Sequence, residues 1–301
     1  MPPAVLAIHG GAGPSPAGEP DGGASRWPRQ SEGLTVALRT GLAVLSDGGP
    51  ALEAVIAAVA VLEDDEQWNA GRGSALTRAG TVEMDAAVAD GRSRRLAGVA
   101  CVTGVRHPVE AARAVLDDGR HVLLAGPGAE DIARSAGLDF EPPDWFVTER
   151  RRQALEHFSV GTVGAVARDH NGHLAAATST GGRTGQLPGR IGDSPIPGAG
   201  TWADDATCAV SATGIGEAFL RAAFAHEVDA RLRLSGVDLD TACREALAAV
   251  HAAGGDGGCI AVAPAGPPVL PFSTALMHRG WAEVGGPLWV AAQPGPFERG
   301  E

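Results

Sequence analysis

The stretch from residue 160 to 182 constrains this chain more than any other. Val160 to Ala167 and His173 to Thr180 are two runs of small, mostly apolar residues, joined at His170-Asn171-Gly172. Asn-Gly between two such runs is a hairpin signal. With a three-residue loop, paired positions sum to 342, which sets Thr162 opposite Thr180. A two-residue loop leaves the two as diagonal neighbours, still within reach. Either way, two threonine hydroxyls meet at the open end of the hairpin. On pattern alone this is a cross-strand Thr pair of the kind common in sheets.

The rest of the chain alternates helices and strands. Val5 to Ile8 reads as a buried strand running into the loop His9-Gly10-Gly11-Ala12-Gly13-Pro14, and residues 15 to 30 read as loop. Leu34 to Leu45 is helical and stops at Gly48-Gly49; Ala51 to Leu62 is apolar nearly all round, hence a buried helix. Glu63 to Gly73 is a polar loop punctuated by glycine. Strands are expected at Thr81 to Val88 and Leu96 to Val102. Helices are expected at Pro108 to Leu116, Gly128 to Ala136 and Thr148 to Phe158. Beyond the hairpin come a strand at Thr207 to Ala212, helices at Glu217 to Leu234 and Leu239 to Ala253, and strands at Cys259 to Ala263 and Val269 to Ala275. No Gly/Ser or Pro linker divides the chain, so residues 1–301 read as one α/β domain of stacked sheets covered by helices.

Composition removes several chemistries. All 24 basic residues are Arg, and Tyr is absent. Without lysine there is no Schiff base, no pyridoxal-phosphate anchor, no phosphate-loop lysine and no Ser-Lys hydrolase pair. The formal net charge of -12 argues against nucleic-acid and anionic-membrane partners. Arg150-Arg151-Arg152, flanked by Glu149 and Glu156, reads as a solvated helix face. Cys101, Cys208, Cys243 and Cys259 form no C-x-x-C pair and read as small buried hydrophobes. Met1 to Val5 lacks the basic start of a secretory signal, and the longest apolar stretch is far short of the roughly 20 residues of a membrane span. A cytoplasmic protein is expected.

Three further clusters can carry chemistry. The glycines after His9 allow backbone to approach something closely. Ser211-Ala212-Thr213-Gly214-Ile215-Gly216-Glu217 runs from strand through a tight turn into a helix, where free amides bind an anion or oxyanion; the plain alternative is a helix cap at Thr213. Gly189-Arg190-Ile191-Gly192-Asp193 holds an Arg and an Asp three apart. These form either a surface ion pair of little worth or a grip for the carboxylate and ammonium of an amino acid. His170 and His173 bracket a turn and read as exposed turn residues, not as a metal site.

Together these motifs resemble the plant-type L-asparaginase/isoaspartyl peptidase family. The likeness rests on Gly161-Thr162-Val163-Gly164-Ala165-Val166, Thr178-Ser179-Thr180-Gly181-Gly182, Gly189 to Pro195, Thr213-Gly214 and Gly254-Gly255-Asp256-Gly257-Gly258. The first half agrees through His9 to Gly13, Leu62-Glu63-Asp64-Asp65, Trp68 to Ser74 and Met84-Asp85-Ala86. The resemblance implies an N-terminal nucleophile hydrolase with an αββα four-layer sandwich. Such a chain cuts itself before the threonine, here between Gly161 and Thr162, into subunits 1–161 and 162–301. The freed α-amine of Thr162, with a reference pKa of about 8, then serves as base for its own hydroxyl. There is no lysine to do so, and no motif places a histidine beside it.

By the same resemblance, Thr180 orients Thr162, Thr213 and the Gly214 amide form the oxyanion hole, and Asn69 lies close to the nucleophile. Arg190 binds the substrate α-carboxylate and Asp193 its α-ammonium, with Gly11, Gly214 and Gly216 nearby. Carbonyls of Leu62, Glu63, Asp65, Trp68, Ala70 and Arg72 would ring a structural sodium ion, with no catalytic cofactor. The substrate is a small molecule, asparagine or a β-aspartyl dipeptide, and the assembly a dimer of cleaved heterodimers. The rivals are a glycosylasparaginase-like amidohydrolase, an uncleaved binding protein of the same family and, remotely, an unrelated carbohydrate-binding β-protein. Family members usually carry a longer polar tail before the Gly-Thr, whereas here Glu149 to Ser159 runs from helix almost directly into Val160-Gly161-Thr162.

Overall fold

The computed structural model describes residues 2–13, 26–154 and 161–300. The strands are β1 (Val5–Gly13), β2 (Met84–Asp90), β3 (Arg95–Val102), β4 (Leu123–Ala125), β5 (Val163–Arg168), β6 (Leu174–Thr180), β7 (Thr201–Ala203), β8 (Ala209–Gly214), β9 (Gly257–Val262), β10 (Leu276–Glu283), β11 (Trp289–Ala291) and β12 (Glu298–Arg299). The helices are α1 (Trp27–Ser46), α2 (Ala51–Asp64), α3 (Pro108–Asp118), α4 (Pro127–Ser135), α5 (Pro143–Phe146), α6 (Glu149–Ala154), α7 (Gly216–Ala222), α8 (Phe224–Ser235) and α9 (Leu239–Ala252).

Nine strands form one sheet in the order β12-β11-β10-β1-β5-β6-β2-β3-β4, and three form a second, β7-β8-β9. The period-2 alternation of the central strands sorts their side chains into separate cores. Leu6, Ile8, Ala165 and Ala177 pack with Leu38, Val55 and Val59 of α1 and α2. Val5, Ala7, Val166 and Ala176 point the other way, onto Ala209, Ile260 and Val262 of the smaller sheet. The outer face of that sheet, through Val210, Ala212 and Ala261, packs on Phe224 and Val228 of α8 and Ala246 and Val250 of α9. No described helix is long and apolar enough to cross a membrane.

The hairpin has the register expected for a three-residue loop: Val163 faces Ser179 and Ala165 faces Ala177. Asp169 builds the turn, its carboxylate accepting the amides of Asn171 (2.8 Å) and His173 (3.0 Å). His170 is exposed, whereas His173 is half-buried and bonded to Asp205 at 2.7 Å.

Other expectations need correction. The loop assigned to residues 15–30 ends early, because α1 already begins at Trp27 with Pro28 in its first turn. The single helix expected over Glu217 to Leu234 is two, parted at Ala223, whose φ of 45° is left-handed. The amides of Ala225 and His226 bond the carbonyls of Ala199 and Gly198 instead of continuing α7. Val269 to Ala275 is not a strand. It touches β9 only through bridges at Val269 and Phe272, since Pro271 has no amide to donate. The true strand, β10, starts just after it. The expected helix over Thr148 to Phe158 is seen as Glu149–Ala154, and its remainder, with the connection to Gly161, lies outside the described residues. Arg151 is not on a solvated face. It is 5% exposed, donates to the carbonyls of Gly73 and Trp68, and burial lowers its pKa to about 9.

Candidate active site

The open end of the hairpin is where β1, β5, β6 and β8 meet. Thr162 and Thr180 do face each other there, both buried, with Thr162 Oγ1 donating to Thr180 Oγ1 at 3.2 Å. Thr180 Oγ1 in turn donates to the carbonyl of Gly161 (3.0 Å) and accepts the amide of Gly182 (3.0 Å). The peptide between Gly161 and Thr162 is thus flanked by the Thr162 hydroxyl and the Thr180 hydroxyl that it bonds.

Asn69 completes this centre from the loop after α2. Its Nδ2 donates to Gly161 O at 2.6 Å and to Gly182 O at 2.7 Å, while its Oδ1 accepts the amide of Ala75 at 2.6 Å. Every polar atom of the amide is therefore engaged, which fixes its orientation. Gly161 O receives two donors, Asn69 and Thr180, and this pair withdraws charge from the carbonyl carbon.

β1 supplies the opposite wall. Gly11 has φ 114°, and a side-chain carbon there would lie 3.2 Å from the Cα of Gly161 and 3.4 Å from the nitrogen of Thr162. Only glycine allows both the backbone angle and the approach. The next residue, Ala12, donates its amide to Thr213 Oγ1 at 3.1 Å. The Gly11-Ala12 segment thereby brings the Thr162 end of β5 and the Thr213-Gly214 end of β8 to the same place.

A histidine does stand beside Thr162, contrary to the sequence expectation. His9 Nδ1 is 2.8 Å from the carbonyl oxygen of Thr162, and Nε2 is 2.9 Å from Ser211 Oγ. Burial pushes its pKa down to about 3, against the opposing bond to Thr162, so the ring is neutral. It contacts the carbonyl and not the hydroxyl. A histidine ending a run of buried strand residues was the available signal.

The charged end of the site lies on loops. Asp193 is 5% exposed, and its Oδ2 has no hydrogen-bond partner among the described residues. Burial raises its pKa to about 7. Arg190 Nε donates to Glu217 Oε1 at 3.1 Å, and Arg183 Nη1 to Glu217 Oε2 at 2.8 Å. Partial burial pushes Glu217 upward, but its bonds to Arg190 and to its own amide reverse this and lower its pKa to about 2. A side-chain carbon on Gly216 would meet Asp193 Oδ1 at 2.7 Å and Arg190 Nη2 at 2.8 Å, so both charged groups converge on the start of α7. The loop carrying them is held from behind: Glu83 accepts the amide of Gly189 (2.7 Å) and Asp85 that of Gly192 (3.3 Å). A cleft of about 580 Å³ opens beside Arg190, lined by Arg183, Gln186, Leu187 and Glu217. Sequence reasoning missed Glu217, although it directly follows the Thr213 to Gly216 turn.

The loop between α2 and β2 curls on itself. Glu63 O accepts the Arg72 amide (2.7 Å), Asp65 O accepts that of Trp68 (3.1 Å), and Trp68 O accepts Arg151 Nη2 (3.2 Å). Each such carbonyl keeps a second lone pair.

The family model described as asparaginase matches residues 2–160 and 156–290. The chain is 43% identical over 302 residues to an isoaspartyl peptidase of Salmonella typhimurium, covering 94% of this chain and 96% of the relative. It is 41% identical to an isoaspartyl peptidase of Escherichia coli, covering 94% of each. It is 39% identical to a plant-type L-asparaginase of Pyrobaculum calidifontis, covering 93% and 97%. The chain belongs to this asparaginase family.

Proposed function

We propose that the protein is a hydrolase of β-aspartyl amide bonds. It releases L-aspartate from L-asparagine and from isoaspartyl dipeptides, using Thr162 as nucleophile after splitting itself before that residue. The names of its relatives support the reaction class. The observation that carries the nucleophile is the contact of Thr162 Oγ1 with Thr180 Oγ1, itself bonded to the carbonyl of Gly161.

That contact supports the following route to splitting. Thr162 Oγ1 attacks the carbonyl carbon of Gly161, and Asn69 and Thr180 stabilise the oxyanion. The peptide C–N bond breaks, the departing Thr162 nitrogen takes up the proton given up by the hydroxyl, and Gly161 is left esterified on Thr162. Water hydrolyses the ester, giving chains 1–161 and 162–301 and a free α-amine on Thr162. That amine takes the proton of its own hydroxyl as the hydroxyl attacks the substrate's side-chain amide carbon. Thr213 and the Gly214 amide receive the new oxyanion. The amine of the leaving group takes the proton, and water hydrolyses the aspartyl ester.

Recognition falls to the charged end. Arg190 offers its guanidinium to the α-carboxylate. The unpartnered Asp193 Oδ2 suits an α-ammonium, and Gly11, Gly214 and Gly216 give backbone close to the substrate. The two sheets with helices outside them are proposed to be the αββα sandwich of N-terminal nucleophile hydrolases. No catalytic cofactor is required by these steps. The carbonyls of Leu62, Glu63, Asp65, Trp68, Ala70 and Arg72 are neutral, hard donors that fit a structural sodium ion, whose role would be to hold the loop presenting Asn69. We further propose a homodimer of cleaved heterodimers. The reading is tested by assaying aspartate release from asparagine and a β-aspartyl dipeptide before and after splitting. Release only after splitting supports it; equal release from the intact chain overturns it.

A further inference from the structure

A chain of buried polar groups leads away from the nucleophile. His9 Nδ1 meets Thr162 O (2.8 Å), His9 Nε2 meets Ser211 Oγ (2.9 Å), Ser211 meets Thr178 Oγ1 (2.7 Å), and Thr178 meets Thr201 Oγ1 (2.7 Å). Thr201 also faces the carbonyl of Ser194 at 3.0 Å. His9, Thr178, Thr201 and Ser211 are all fully buried. They come from β1, β6, β7 and β8, so the chain crosses from one sheet to the other and ends beside Asp193.

Proton accounting gives this chain a direction. A carbonyl oxygen only accepts, so His9 Nδ1 carries a proton. The buried ring is neutral, so its Nε2 accepts, and Ser211 must donate to it. Ser211 then accepts from Thr178, and Thr178 from Thr201, whose single proton is then not given to the carbonyl of Ser194. Each hydroxyl points toward Thr162. The opposite tautomer would set a ring lone pair against the carbonyl lone pairs of Thr162 and run the hydroxyl chain the other way, onto the carbonyl of Ser194, so the contact it loses is the one to Thr162.

The backbone makes room for it. A side-chain carbon on Gly164 would collide with Ser211 Oγ and His9 Nε2. The second glycine of Gly161-Thr162-Val163-Gly164 therefore leaves space for the His9–Ser211 bond to pass directly over β5, two residues from the nucleophile. The β5 ladder to β6 begins only at Val163. Once the peptide to Gly161 is cut, Thr162 is held on its N-terminal side by nothing covalent.

We propose that His9, its second ring nitrogen engaged by the buried hydroxyls of Ser211, Thr178 and Thr201, is a positioning residue that anchors the carbonyl of Thr162 and keeps the new chain end aligned for attack. This rests on the reading of Thr162 as nucleophile.

The test compares His9→Phe, which fills the ring's space without a donor, with His9→Asn, which returns an N–H near the Nδ1 position. Turnover of a β-aspartyl dipeptide is measured per free Thr162 terminus, so that loss of folded or processed protein does not enter. His9→Phe should lower kcat about 100-fold with KM within about twofold, as expected for a small misplacement of a reacting group. His9→Asn should recover at least about tenfold of that. If His9→Phe does not split at all, the splitting rate becomes the readout, and His9→Asn must split faster. Wild-type kcat in His9→Phe, or a His9→Asn no better than His9→Phe, overturns the proposal. A wild-type chain that never splits overturns the Thr162 reading itself, and this anchor with it.

Discussion

The two ends of the site are built from opposite materials. Around Thr162 every group is neutral: two threonine hydroxyls, the Asn69 amide and an uncharged His9, all buried and joined by hydrogen bonds of 2.6 to 3.2 Å. They sit at the open end of the β5–β6 hairpin, within β1 and on the tight loop bearing Asn69. Some residues further along the chain, Arg183, Arg190, Asp193 and Glu217 are ionisable, partly exposed except for Asp193, and carried on loops or the first turn of α7. The neutral end therefore depends on geometry, while the charged end depends on charge state. In the proposed function, bond making belongs to the first and selection of an α-amino acid to the second. A change at one end should leave the other's readout alone.

The sharpest separation comes from Asn69→Ala. It removes a donor from Gly161 O, and self-splitting should slow about 10²- to 10³-fold, the usual cost of an oxyanion donor. Timed gel or mass analysis of freshly made protein checks this. Unchanged splitting would show that Asn69 serves only the loop. Arg190→Ala should do the reverse: it splits normally, yet kcat/KM for a β-aspartyl dipeptide drops about 100-fold because a charged partner of the carboxylate is gone. A splitting defect in that variant would merge the two ends.

A smaller effect comes from pH. Burial holds Asp193 up at about 7, so below that pH its carboxyl is protonated and loses its attraction for an ammonium. KM should rise as pH falls through 7, approaching about tenfold per unit, while kcat at saturating substrate follows the α-amine instead. A KM flat between about pH 5 and 8 would remove Asp193 from substrate binding. The smallest expected change is Glu217→Gln, which frees Arg183 and Arg190 from their shared carboxylate. KM should rise about threefold with splitting untouched, in line with a partly exposed pair.

What could be read from the chain alone follows a physical divide. The hairpin was legible because two short apolar runs and an Asn-Gly turn are local, and of the two registers the loop allowed, the structure has that of the three-residue loop. β10 was not, because Met277, His278, Arg279 and Gly280 make no strand pattern. Of its two partners, β1 lies more than 260 residues away. The break at Ala223 escaped notice for the same reason, since the carbonyls that take the amides of Ala225 and His226 come from Gly198 and Ala199. Within the site, the Thr162–Thr180 pair was expected from the hairpin, whereas Asn69 beside it and Gly216 beside Arg190 and Asp193 were expected from the family resemblance. His9 was hidden: its partner Ser211 lies 202 positions along the chain. Arg151 looked solvated because its neighbours are charged, whereas its carbonyl partners lie on the loop after α2.

The most direct measurement is the intact mass of the protein after prolonged incubation, beside that of Thr162→Ala. The native chain should resolve into two pieces meeting at Gly161 and Thr162, with aspartate release rising as the pieces appear, and the variant should stay whole and inactive. Brisk hydrolysis of a β-aspartyl dipeptide by a native chain that stays whole would contradict the assignment of Thr162 as a terminal nucleophile.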